Sequence, residues 1–149
     1  MSESSQRLPL LGSRDLDAPL AWRHGRAISA RQFLADVQRQ LPLLPEGGPA
    51  INVCADRYAF IVGLAAAMLR GQPSLLPPDA RADTLARVGA GRLQAYVLGD
   101  DAEAAVQVSR EADAPASADA EVPLLPADAH ALSLLTSGST GVPQPHAKS

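Results

Sequence analysis

Six consecutive residues, Thr136-Ser137-Gly138-Ser139-Thr140-Gly141, carry four hydroxyls and two glycines immediately after the short run "LSLL" at 132–135. The glycines admit positive φ and let the backbone approach a ligand closely. A turn of that kind can aim successive amide N–H groups at an anion. The hydroxyls at 136, 137, 139 and 140 add donors suited to phosphate oxygens. A solvated Ser/Gly tail would share this composition, but it would not have to follow a buried strand. A nucleotide-binding loop of the G-x-x-x-x-G-K-[ST] type is excluded. Lys148-Ser149 resembles its ending, but Ala147 stands where glycine is required, and Pro143 and Pro145 offer no amide donors.

A loop of this kind needs a rigid seat, and the preceding sequence alternates elements able to provide one. Ser29 and Gln32 have capping-box spacing. Phe33, Leu34, Val37 and Leu41 then share one helical face, with Arg31, Asp36 and Arg39 placed elsewhere, until Pro42 ends the pattern. The run 50–55 is short, apolar and partly β-branched, which suits a buried strand. Asp56 is positioned to cap a helix over 57–70 that is apolar nearly all round. Gly71 suits its C-terminus. Residues 74–76 and 94–98 read as further strands, with a helix over 80–88 capped by Asp79 between them. Residues 132–135 form the fourth strand candidate. Residues 1–20 read as a loosely held lead-in to a folded portion over 21–149, and 110–128 as a surface loop. Strands alternating with helices imply an α/β fold with helices packed on a mostly parallel sheet. In such sheets ligands sit at the carboxyl ends of strands, which is where the hydroxyl-rich loop falls.

Composition narrows the function classes. The 149 residues suffice for one domain with a core, and 46% hydrophobic content is ordinary for a globular chain. A net charge of −3, with Lys148 the sole lysine, gives no basic stripe for nucleic acid. The longest uncharged apolar stretch, 58–69, is too short to span a bilayer, and the N-terminus lacks a secretory pattern. A cytoplasmic protein is expected. Cys54, the only cysteine, lies in the apolar run and reads as a small buried hydrophobe.

The stretch "LLTSGSTGVPQP" resembles the phosphate-binding motif of the adenylate-forming superfamily, which contains acyl- and aryl-CoA synthetases and peptide-synthetase adenylation domains. Thr136, Ser137, Gly138, Ser139, Thr140, Gly141 and Pro143 follow that motif in order. Upstream, "GRAISARQFLADVQRQLPLL" and "INVCADRYAFIVGLAAAMLRGQPSLLPPDA" are similar to the family's early helix and its strand–helix–strand. The resemblance runs from about Leu20 to the end and implies the N-terminal portion of the large domain, with the rest of the enzyme lying after residue 149. It implies that Thr136 to Gly141 hold the phosphates of ATP, with Mg²⁺. A small carboxylic acid is then activated to an acyl- or aryl-adenylate and passed to the thiol of coenzyme A or of a phosphopantetheine on an acyl carrier protein. The family's lysine and glycine after the proline are Gln144 and Pro145 here, which moves the expected positive charge to Lys148 or His146. A truncated adenylation-like domain that binds without catalysing is the alternative.

Overall fold

The computed structural model describes residues 7–11, 15–92, 94–101, 104–116, 122–126, 132–137 and 143–148. In chain order its elements are β1 (Arg7–Pro9), β2 (Pro19–Arg23), β3 (Arg26–Ser29), α1 (Ala30–Gln40) with a 3-10 turn at Leu41–Leu43, β4 (Ala50–Asn52), α2 (Arg57–Leu69), β5 (Ser74–Leu76), α3 (Ala82–Gly89), β6 (Tyr96–Gly99), β7 (Val106–Gln107), β8 (Leu124–Pro126), β9 (Leu132–Ser137) and β10 (Pro143–Lys148). The main sheet has the order β10-β9-β5-β4-β6-β7. All its neighbours pair in parallel except the edge pair β9–β10. The expected α/β class and mostly parallel sheet are therefore what the chain adopts.

Strand alternation sorts the core into two faces. Ala50, Tyr96 and Leu98 pack with α1 and α2, in a cluster containing Phe33, Leu34, Val37, Tyr58, Val62 and Ala66. Ile51 and Leu75 point the other way, onto Val88 of α3, with Val53 and Val97 beside them. Both faces of β4 and β6 are thus covered, which is why their residues are buried continuously rather than in alternation. Gly63 lets α2 lie close to the sheet: a Cβ there would come within 2.9 Å of Leu98 Cδ2.

The helix starts follow the sequence chemistry. Ser29 Oγ accepts from Gln32 N at 3.1 Å and caps α1, and Asp56 accepts from Ala59 N at 2.9 Å and caps α2. Half of the expected capping box forms, because the Gln32 amide turns away to donate to Ala114 O at 2.7 Å. Ser29→Ala should cost about 1 kcal/mol of unfolding free energy in urea, the usual worth of such a cap. α3 begins at Ala82 rather than Ala80, since Asp79 Oδ1 accepts from Arg81 N at 2.9 Å and closes a turn just before it.

Several elements depart from the sequence reading. Residues 19–29 form an antiparallel hairpin, with Arg23 opposite Arg26 and a two-residue turn at His24 (φ 52°) and Gly25 (φ 77°). Positive φ at both central positions is the signature of a type I′ turn. Within the lead-in, β1 pairs antiparallel with β8, drawn from the stretch read as loop. Prolines 9, 123 and 126 make both segments poor strand candidates, and the ladder is only three residues long. Asp36, expected away from the apolar face of α1, is buried at 2% exposure.

Candidate functional site

The carboxyl ends of β9, β5, β4 and β6 lie along one edge of the sheet, and two places on that edge could receive a ligand. The first is the end of β9. This strand runs on to Ser137, two residues further than the sequence pattern indicates, so Thr136 and Ser137 belong to the strand rather than to a loop. The reason is β10, which the sequence reading did not anticipate: it folds back antiparallel, setting Thr136 opposite Gln144 and Ser137 opposite Pro143. Pro143 and Pro145 have the same parity in β10, so both missing N–H groups fall on one side of that strand. Only a free sheet edge tolerates this, and β10 is at the edge. Gly138, Ser139, Thr140 and Gly141, expected to hold phosphate, lie outside the described residues, between the two strands. Lys148 pairs with Leu132 at the opposite end of β9 from Ser137. Five residue steps along the strand separate those two levels, about 17 Å of backbone. His146 pairs with Leu134, and His130 lies outside the described residues.

The second place lies between β4 and β6. From β4 the chain passes through α2 to β5 on one side, whereas β6 leads to β7 on the other. Diverging connections of this kind make a topological switch point, the usual ligand crevice of an open α/β sheet. Here groups of the chain itself meet across the crevice. Asp100, immediately after β6, is 7% exposed, and its Oδ2 accepts from Asp56 N at the start of α2 at 2.6 Å. Arg110 Nε is 3.3 Å from the same oxygen. Burial alone would raise the Asp100 pKa. The amides of Asp56 and Ala55 and the Arg110 guanidinium outweigh that and hold it below the usual carboxylate value. Beside it, burial also works against ionisation of Asp56, but the Ala59 amide and Arg23, 2.6 Å away, keep its pKa low as well.

Cys54 sits in the same crevice. Burial, reinforced by the nearby Asp100 and Asp56 charges, pushes its thiol pKa up to about 12. At neutral pH it is a protonated, inert group, with Sγ 3.9 Å from Leu98 O. Asn52, buried at the end of β4, donates to Phe60 O at 3.3 Å and accepts from Cys54 N at 3.1 Å, tying strand end to helix start. Among the described residues no group of His, Cys, Asp and Glu is placed to hold a metal ion, and no helix is long and apolar enough to cross a membrane.

Solved structures share this mostly parallel sheet with helices packed on both of its faces. The N-terminal subdomain of Klebsiella oxytoca NpsA, in complex with 3-hydroxyanthranilyl-AMSN, superimposes with a TM-score of 0.62 at 23% identity, over 88% of this chain and 36% of that one. A malonyl-CoA ligase ternary product complex with methylmalonyl-CoA and AMP gives 0.63 at 20% identity, over 89% of this chain and 29% of that one. McyG A-PCP complexed with phenylalanyl-adenylate gives 0.57 at 22% identity, over 83% of this chain and 24% of that one. The chain thus spans roughly a quarter to a third of the structures it matches. No family model and no curated protein matches the sequence.

Proposed function

We propose that this chain is the N-terminal part of a cytoplasmic ligase that activates a small carboxylic acid with ATP and Mg²⁺ and passes the acyl or aryl group to a thiol, that of coenzyme A or of a carrier-protein phosphopantetheine. The observation that carries the proposal is the delivery of Thr136 and Ser137, by a strand of the parallel sheet, into Gly138-Ser139-Thr140-Gly141 at the strand's carboxyl end. In the first half-reaction a carboxylate oxygen attacks the α-phosphorus, the bond from that phosphorus to the β-phosphate bridge breaks, and pyrophosphate leaves. The hydroxyls and amides of 136–141 would hold the β- and γ-phosphates, donors already in place for the charge moving onto the leaving group. Bound Mg²⁺ would share that charge. In the second half-reaction a thiolate attacks the acyl carbon and AMP leaves. The proposal assigns no phosphate contact to Lys148, whose backbone stands about 17 Å along the hairpin from Ser137.

One observation favours a second reading, a nucleotide-binding module without catalysis: Gln144 and Pro145 stand where the resembled family carries lysine and glycine. The gene product that contains this chain separates the two. Carboxylate-dependent ATP–pyrophosphate exchange, lowered on the order of 10²-fold in Thr140→Val, supports the ligase. ATP binding without exchange on any acyl or aryl acid supports the module. Exchange that Thr140→Val leaves unchanged would sink the assignment of the 136–141 segment.

A further inference from the structure

We propose, independently of the ligase reading, that Pro143 and Pro145 close the outer edge of the main sheet to strand addition, so that the β9–β10 hairpin cannot recruit the same hairpin of a second copy. Facing residues of an antiparallel pair alternate between those that exchange both backbone hydrogen bonds and those that exchange none. A proline cannot belong to an exchanging pair, since it has no N–H to give. The exchanging pairs of the hairpin are therefore Gln144 with Thr136, His146 with Leu134 and Lys148 with Leu132. The backbone groups of 143, 145 and 147 point the other way, to the side of β10 with which no described strand pairs. That side offers three carbonyls but only one N–H, from Ala147. A strand laid against it would have its carbonyls opposite 143 and 145 left without donors. Pro145 stands where the resembled family carries glycine, a residue that would keep its N–H.

The opposite edge of the sheet is closed by other means, so closure does not rest on two prolines alone. β7 is only two residues long. Val108 N bonds inward to Gly99 O at 2.7 Å, so the backbone groups of Gln107 face outward. The outward carbonyl is already taken: Gln40, buried at the end of α1, donates to it through Nε2 at 3.3 Å. Shortness, a covering group and proline are all ways of blunting an edge that would otherwise template association. The need is greater at β10, which is six residues long. Its neighbour β9, "LSLLTS", is uncharged and free of proline and glycine, the composition that stacks into intermolecular sheets once an edge is open.

Restoring the donors tests this. In the gene product that contains this chain, Pro143→Thr and Pro145→Thr are combined, and sedimentation is followed over a wide range of concentration. The parent should keep one mass throughout. The double variant should self-associate, with an association constant raised on the order of tenfold or more, the worth of about one regained hydrogen bond. The new amides at 143 and 145 should become protected from hydrogen exchange in the associated form only. Gln144→Thr is the control. It also raises strand propensity, but its N–H already faces β9, so it should sediment as the parent does. Pro145→Gly regains one donor without raising strand propensity, and should associate more weakly than the double variant and more strongly than the parent; it carries the test if the double variant does not fold. Three results would overturn the proposal. One is a parent-like mass at every concentration in whichever proline variant is folded. Another is equal association of Gln144→Thr. The last is association that leaves the new amides exchanging freely, which would place the contact elsewhere.

Discussion

Asp36→Ala should destabilise the chain by about 3–4 kcal/mol, the range for stripping the acceptor from a buried charged cluster. The Asp36 carboxylate is a hub between distant segments. It accepts from the Tyr58 hydroxyl on α2, from Ala114 N at 2.9 Å and from Gln32 Nε2 at 3.3 Å, and Arg39 lies 3.3 Å away. Burial, with the Asp36 charge beside it, pushes the Tyr58 phenol well above its ordinary pKa, so it stays protonated and donating throughout the physiological range. Alanine would leave a buried hydroxyl and a buried amide without acceptors, each costing about 1–3 kcal/mol. Tyr58→Phe removes one donor and leaves the other bonds intact, so about 1 kcal/mol is expected. The double variant should then fall well short of the sum, because the two side chains share one bond. Urea denaturation checks all three. A loss below about 1 kcal/mol for Asp36→Ala would show that the cluster does not tie α1, α2 and the 114 region together.

Asp36 also shows where sequence reading stops. The caps at Ser29 and Asp56, the apolar run of β4 and the all-round apolar α2 were legible because their causes are local: a side chain three residues from its amide, or a short run bounded by turn residues. Asp36 is three residues from Phe33 and four from Gln40, so it borders the buried stripe, and the partners 22 and 78 residues away that complete its bonding leave no local sign. The β2–β3 hairpin was announced by His24-Gly25 alone, a weaker turn signal than Asn-Gly. The β1–β8 ladder pairs segments more than a hundred residues apart through proline-rich sequence, which carries no local sign of a strand. At the site, the position of the Ser/Thr/Gly run after an apolar strand was readable. The return strand β10 was hidden by its own prolines, which suit an edge but break a strand pattern.

The plug at the switch point gives the second large effect. Asp100→Ser removes the carboxylate that accepts from the start of α2 and faces Arg110, and should cost about 2–3 kcal/mol, the worth of charge-assisted bonds to a buried acceptor. The same carboxylate sets an acid limit. Its pKa, like that of Asp56, is lower in the folded chain than in the unfolded one. A group depressed on folding contributes its stability above its unfolded pKa, near 3.9, and loses it as pH falls through the folded value. Unfolding free energy should therefore be level above about pH 5 and decline below about pH 4, with a shallower decline in Asp100→Asn. Asp100→Ser has a sharper consequence. With the Asp56 carboxylate still capping Ala59 N, the Asp56 amide and Arg110 lose their shared anion and become a seat for an external one. Sulfate should then recover part of the lost stability in the variant beyond its general effect on the parent chain. Equal sulfate responses in the two would mean that Asp100 does not occupy an anion seat. A selective rescue would explain why a fold whose usual ligand crevice lies between β4 and β6 carries its phosphate-type residues on β9 instead.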